Sequence, residues 1–183
     1  MNSIGLHGKF EKINDSFMEE TFKVFEQLEA IQKKYGKTDK HGWDAKDEAE
    51  EFLEVKQSSA SANHICATFN DTSLEKADEL GKDNITIALA VWSSLRNLLF
   101  VVYGKNSAIG PDMKKKIIVA QEKGHIRPGT QSISMNDLIF KYGFKIHPVS
   151  MNKEDIREFL KGKSGFKTYL IKENRELPFD YEA

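Results

Sequence analysis

The sequence predicts an α+β protein with a mainly helical N-terminal body and a small α/β C-terminal part. Apolar residues recur every three or four positions from Phe17 to Tyr35, which is typical of an amphipathic helix. After Ile133, short helix patterns alternate with short strand patterns. We expect a single domain over residues 1–183, with a helical body over 10–124 and a small α/β subdomain over 133–175.

Local signals place the predicted helices of the N-terminal body. Ser16 and Glu19 form a capping box before the first helix, and Gly36 ends it. An acidic second helix is expected to start near Asp44, and a short third helix, Leu74–Leu80, follows a capping loop that ends at Ser73. The predicted core contains Phe22, Phe25, Leu28, Phe52, Ile87, Leu89, Val91, Leu95, Leu99 and Val102.

The segment 84–103 has two interpretations. As a helix it is apolar on nearly all sides and forms the centre of the domain. As a hairpin, Ile85 to Trp92 pairs with Leu98 to Tyr103 across a five-residue loop. The loop contains no Gly or Pro and the run lacks clean alternation, so the pattern favours the helix.

The C-terminal elements are predicted from caps and glycines. Pro111 suits the first turn of a helix that ends near Gly124. The remaining predicted elements, in order, are a helix Met135–Tyr142 started by Ser134 and ended by Gly143, a strand Phe144–Val149, a helix Lys153–Lys161 capped by Asn152, and a strand Phe166–Lys172.

Composition excludes several classes of protein. Cys66 is the single cysteine, so the chain forms neither an intrachain disulfide nor a cysteine-based zinc site. The sequence contains no Walker A loop, dinucleotide fingerprint, Gly-x-Ser-x-Gly elbow or His-Glu-x-x-His helix. The N-terminal residues lack the apolar core of a signal peptide. We therefore expect a cytoplasmic protein without a membrane partner.

Charge is segregated along the chain. Residues 10–83 carry 10 lysines, no arginine and 18 acidic side chains, a net charge of −8, whereas residues 114–172 carry a net charge of +8. Such a surface favours a non-enzymatic binding or regulatory protein, such as an inhibitor, an immunity protein or an antitoxin. In this interpretation no cofactor is needed, and an acidic helix contacts the basic surface of another protein through Asp47, Glu50, Glu51 and Glu54.

An enzymatic alternative comes from the acidic motifs. Glu50, Glu51 and Glu54 form Glu-Glu-x-x-Glu, and Glu79 and Asp83 follow downstream. This pattern resembles the all-α nucleotide pyrophosphohydrolases, the MazG-like proteins and their phosphoribosyl-ATP pyrophosphatase relatives. The resemblance implies a magnesium-dependent enzyme that cleaves a nucleoside triphosphate to the monophosphate and pyrophosphate. It implies Glu51, Glu54, Glu79 and Asp83 as the metal ligands.

A second alternative is nucleic-acid binding by the basic C-terminal part. Clustered lysines and arginines contact phosphates. The candidate residues are Lys114, Lys115, Lys116, Arg127, Lys145 and Lys167. A weaker possibility places His125 and His147 beside Arg127 and Lys145 as general acid and base in a ribonuclease site.

Overall fold

The described part of the protein is an α+β structure built on a mixed sheet. The computed structural model describes residues 43–46, 49, 51–93 and 97–180. The strands are β1 Ala45–Lys46, β2 Phe52–Ser59, β3 Cys66–Phe69, β4 Ile85–Trp92, β5 Leu98–Gly104, β6 Gln131–Ser134 and β7 Lys145–Pro148. The helices are α1 Leu74–Glu79, α2 Ile109–Glu122, α3 Met135–Phe140, α4 Lys153–Lys161, α5 Ser164–Lys167 and a π-helical turn Thr168–Lys172.

Five strands form the main sheet in the order β1-β2-β4-β5-β7. β2 and β4 are parallel, from the pair Phe52 and Ile85 to the pair Ser59 and Trp92. The neighbours β4 and β5, and β5 and β7, are antiparallel. The second sheet pairs β3 with β6. Residues 131–148 therefore contribute one strand to each sheet, β6 to the small one and β7 to the main one.

The two faces of the main sheet carry separate apolar clusters. Along β4, Ile87, Leu89 and Val91 belong to the larger cluster, which includes residues from every described helix except the π-helical turn. Their neighbours Ala88, Ala90 and Trp92 belong to a second cluster with Leu53, Leu98 and Val101. This division follows from the alternation of side chains along a strand.

The prediction of a mainly helical N-terminal body is wrong for the described residues. The segment 84–103 forms the β4–β5 hairpin, with Ser93 N donating to Asn97 O at 3.0 Å across the loop. All eight residues of β4 are buried. A strand that is buried on both faces shows no polar alternation, so the absence of alternation did not indicate a helix.

The acidic second helix is also absent from the described residues. The chain from Phe52 to Ser59 forms β2, and Cys66 to Phe69 forms β3. Acidic residues and alanines favour a helix locally, but pairing with β4 along the whole of β2 outweighs that preference. The predicted helix 17–35, with core residues Phe22, Phe25 and Leu28, lies outside the described residues, as does Leu95.

The C-terminal strand predicted over Phe166–Lys172 is helical instead. Phe166 and Tyr169, three residues apart, both contact Phe140, with ring centroids at 5.8 and 4.5 Å. A spacing of three places two side chains on one helical face, whereas a strand would send them to opposite faces. The aromatic contacts therefore require a helical turn.

The caps predicted at Ser73, Ser134 and Asn152 are confirmed, whereas those predicted at Ser16 and Gly36 lie outside the described residues. Ser73, Ser134 and Asn152 each accept a hydrogen bond from the backbone N–H three residues later, at 3.1, 3.2 and 2.8 Å. Gly143 adopts the left-handed conformation at φ 74°. Of the predicted core, Ile87, Leu89, Val91, Leu99 and Val102 are buried, whereas Phe52 is half-buried.

The stability of the fold is expected to depend on β4. Leu89 has no exposed surface, so Leu89→Ala leaves a cavity and should lower the free energy of unfolding by about 2–5 kcal/mol. Chemical denaturation measures this loss. Ile118 is 41% exposed on α2 and serves as the control, with an expected loss of about 0.5 kcal/mol or less on change to Ala. Equal losses for the two variants would contradict the central position of β4.

Candidate functional site

A cavity of about 300 Å³ opens beside β2, at the loop that joins β3 to α1. This volume is at the lower end of the range for small-molecule sites. Two lysines and two acidic residues are among its lining residues. The lining consists of Glu54, Lys56, Phe69, Asn70, Asp71, Thr72 and Lys76.

Glu54 is the buried charge of this cavity. The residue is 6% exposed, although it is a carboxylate. Lys56 Nζ lies 2.6 Å from Oε1, and Lys76 Nζ lies 3.7 Å from Oε2. Lys56 shares the face of β2 with Glu54 because the two residues are two positions apart on a strand. Two ammonium groups therefore converge on one buried carboxylate.

Lys76 reaches the cavity from α1. Its Nζ lies 3.4 Å from the centroid of the Trp43 ring, a close cation–π contact. Burial lowers the pKa of Lys76 below its usual value of 10.5, and the Lys56 ammonium lowers it further, while the Glu54 and Asp44 carboxylates partly oppose this. Lys76 is therefore an ammonium group that releases its proton more readily than an exposed lysine.

Asp44, directly before β1, adds a second carboxylate near Lys76. Its Oδ2 accepts a hydrogen bond from Val55 N at 2.6 Å, and its backbone N donates to Leu53 O at 3.0 Å. β1 pairs with β2 in an antiparallel register of Ala45 with Leu53. Asp44 lies in the bend just before β1, and its side chain is exposed at the edge of β2. Its negative charge, like that of Glu79, raises the pKa of Lys76 and partly offsets the effect of burial.

The rim of the cavity is tied to the loop between α2 and β6. Arg127 Nε donates to Asp71 Oδ1 at 3.0 Å, and Nη2 donates to Oδ2. The hydrogen bond from Arg127 lowers the pKa of Asp71. Thr72 N donates to Gly129 O at 2.9 Å. Asp71 itself has φ 49°, a left-handed conformation that Asp tolerates better than most residues.

Of the four acidic residues predicted to bind a protein partner, the structure describes Glu51 and Glu54. Asp47 and Glu50 lie outside the described residues. Glu51, directly before β2, pairs with Lys105 at 2.6 Å. Glu54 is buried in the cavity and does not belong to a solvated helix face.

The metal ligands implied by the pyrophosphohydrolase resemblance do not converge. Glu79 ends α1 and lies 3.7 Å from Lys82 Nζ, and Asp83 is exposed in the following turn. Within the described residues, no three or more His, Cys, Asp or Glu side chains are grouped so that they could hold a metal ion. Residues 45–120, which carry the resemblance to an all-α family, contain most of the main sheet.

Several of the predicted nucleic-acid contacts have partners within the chain. Lys114 pairs with Asp78 at 2.7 Å, and Lys116 donates to Ser132 O at 2.7 Å. Arg127 is held at the cavity rim. Lys115, Lys145 and Lys167 are exposed. Of the two histidines, His147 Nδ1 lies 3.2 Å from Asp180 Oδ2, and His125 lies in the exposed loop after α2.

Sequence reasoning did not single out Lys56 and Lys76, or Asp44 as an individual ligand. The signal was the spacing Glu54-x-Lys56, which places two opposite charges on one face in a strand but not in a helix. Because the segment was interpreted as helical, in which residues two positions apart do not share a face, the pairing of Glu54 with Lys56 was not predicted. The approach of Lys76 depends on where the folded chain places α1 relative to β2 and is not visible in the local sequence.

Comparison with protein-family models, curated proteins and solved structures finds no match to this chain. None of the helices in the described ranges combines the length and the apolar character needed to cross a membrane.

We expect the Lys76 ammonium to titrate below pH 10.5 in the folded protein, because burial disfavours its charge. Glu54→Gln removes the nearest negative charge and should lower the midpoint further. The measurement is the ¹³Cε chemical shift of Lys76 against pH. Since the folded-state pKa lies below the unfolded one, the unfolding free energy should rise with pH between the two values.

Glu51→Gln is the matched control for the titration, because it removes a carboxylate that pairs with Lys105 instead of Lys76. It should leave the midpoint of Lys76 unchanged. A midpoint at or above 10.5 in the unaltered protein would contradict the prediction, because the attraction of the carboxylates would then offset or outweigh the effect of burial.

Proposed function

We propose that the cavity binds a divalent cation together with a phosphodiester and hydrolyses the ester. The observation that carries the proposal is the burial of Glu54 among two ammonium groups, with the exposed Asp44 carboxylate near enough to act electrostatically on Lys76. Magnesium is commonly held by one or two carboxylates, with substrate phosphate oxygens and water completing its shell. Asp44 and Glu54 supply that number of carboxylates.

The charges in the cavity support a cation and an anion bound together. In the protein alone, Glu54 and Asp44 offset the charges of Lys56 and Lys76, while Asp71 at the rim is paired with Arg127. A divalent cation on Asp44 and Glu54 would compete with the lysines for the oxygens of Glu54. The ammonium groups of Lys56 and Lys76 would then be available to the phosphate. Burial strengthens the interactions of Glu54, because the local dielectric constant is lower than that of water.

Each side chain has a role in this reaction. A cation held by Asp44 and Glu54 would stabilise charge at the phosphoryl oxygens and lower the pKa of a water molecule. In hydrolysis the attacking water gives up a proton as its oxygen bonds to phosphorus. The bond from phosphorus to the leaving oxygen then breaks, and the leaving oxygen takes a proton. Lys76, whose pKa is lowered, is suited to exchange that proton, and Lys56 neutralises the developing negative charge.

The geometry supports hydrolysis better than the earlier expectations. A non-enzymatic role in which Glu54 contacts a basic partner requires an accessible carboxylate, and Glu54 is 6% exposed. A pyrophosphohydrolase of the resembled kind requires Glu79 and Asp83 near Glu54, whereas Glu79 lies near Lys82. Both functions remain predictions without a supporting contact. Nucleic-acid binding is compatible with the proposal, since a nucleic acid is a phosphodiester.

Hydrolysis of bis(p-nitrophenyl) phosphate tests the proposal directly. The protein should release p-nitrophenol with Mg²⁺ or Mn²⁺ and lose this activity with EDTA. Asp44→Asn and Glu54→Gln should each lower the rate by about 100-fold or more, because each removes a ligand of the cation. Asp44 is exposed and its amide analogue still accepts the Val55 N–H, so Asp44→Asn preserves the fold.

Glu51→Gln is again the control, with an expected rate within about twofold of the unaltered protein. Circular dichroism checks that each variant is folded. Absence of p-nitrophenol release with every divalent cation tried, or full activity in both Asp44→Asn and Glu54→Gln, would sink the proposal.

A further inference from the structure

We infer that the loop 123–130 contacts the nucleic acid whose phosphodiester enters the cavity, and that Ile126 lies against its bases. This inference rests on the proposed function and specifies its substrate class. The proposed hydrolysis does not itself require the exposed surface of the loop 123–130.

Ile126 is the most exposed large apolar side chain among the described residues. It is 98% exposed, compared with 60% for Ile171 and 42% for Val149. Every residue from Gln121 to Arg127 is exposed. A single exposed apolar residue is common in proteins, so exposure alone decides nothing. The position of the loop and its charge supply the further evidence.

The loop is held against the rim of the cavity. Arg127 makes two hydrogen bonds to Asp71, and Thr72 N donates to Gly129 O at 2.9 Å. A Cβ atom on Gly129 would lie 2.6 Å from Thr72 O, so the two backbones approach as closely as only glycine permits. Asp71 and Thr72 both line the cavity. These contacts hold Arg127 and Gly129 at the rim of the cavity, and Ile126 directly precedes Arg127 in the chain.

The charge of the loop is complementary to a polyanion. Lys123, His125 and Arg127 surround Ile126, and the sequence has no acidic residue from Lys123 to Asn136. The Arg127 side chain remains 60% exposed while it pairs with Asp71. Proteins that bend or open nucleic acids place apolar side chains such as Ile between bases while neighbouring cations contact phosphates. The binding of a protein at this loop would not by itself explain why basic residues adjoin a site proposed to bind a phosphodiester.

Fluorescence anisotropy with a labelled DNA duplex of about 20 base pairs, two helical turns, tests the inference. Parallel titrations use the corresponding single strand and an RNA duplex, and they identify which form of nucleic acid is bound. Ca²⁺ replaces Mg²⁺ in all titrations. The full-length chain is used throughout.

We expect Ile126→Asp to weaken binding by about tenfold or more, because a carboxylate then faces the phosphates. Ile126→Ser removes the apolar side chain without adding charge and should also weaken binding, by a smaller factor. Ile171→Asp, in the π-helical turn, is the matched control and should bind as the unaltered protein does. Hydrolysis of bis(p-nitrophenyl) phosphate should be unchanged in all three variants.

Each outcome decides between the two proposals. Unchanged nucleic-acid binding in Ile126→Asp and Ile126→Ser, or no binding by the unaltered protein, overturns the inference whatever happens to the small substrate. Loss of small-substrate hydrolysis in Ile126→Ser also overturns it, because the loop would then support the cavity instead of contacting nucleic acid. Binding that depends on Ile126, without any hydrolysis, supports the loop contact and overturns the proposed function alone.

Discussion

Burial of β4 on both faces is the constraint on which the described structure depends. Six of its eight residues belong to clusters on opposite sides of the sheet, and its two edges are paired with β2 and β5. Shifting β4 by one residue would remove Ile87, Leu89 and Val91 from the large cluster and would put the smaller Ala88 and Ala90 among their replacements. Only the observed register of β4 fills the large cluster with large side chains. Because β2 is paired with β4 along its whole length, the position of β4 also sets that of β2.

The alternation of side chains along β2 places the charged residues Glu54 and Lys56 in the candidate site. Leu53 and Val55 face the second apolar cluster, so Glu54 and Lys56 must face the other side. Burying a carboxylate with two lysines contributes little to stability, because desolvation offsets most of the attraction between the charges. Charged clusters that break the apolar pattern of a strand are more typical of functional sites than of structural ones. The apolar packing of the sheet thus fixes the positions of Glu54 and Lys56, although their charges contribute little to stability.

The small sheet explains how the rim of the site is assembled. β3 pairs with β6 from Cys66 with Ser134 to Phe69 with Gln131, although the two strands are more than 60 residues apart in sequence. This pairing brings the loop after β3 beside the loop before β6. Asp71 and Arg127 meet as a result, and the short approach of Gly129 to Thr72 fixes the distance between the two loops. A surface from the basic part of the chain thereby borders a cavity in the acidic part.

By itself the sequence determined the features that depend on neighbours within about four residues. The sequence predicted caps at Ser73, Ser134 and Asn152, since a capping side chain bonds to an amide only three positions along the chain. The helices α1 to α4 lie close to their predicted positions. The tertiary structure decided which segments became strands and which faces they presented. Pairing of β2 with β4, and of β3 with β6, joins residues dozens of positions apart. The periodicity of the sequence does not indicate which strands pair. The site of Asp44, Glu54, Lys56 and Lys76 is therefore visible only in the folded structure.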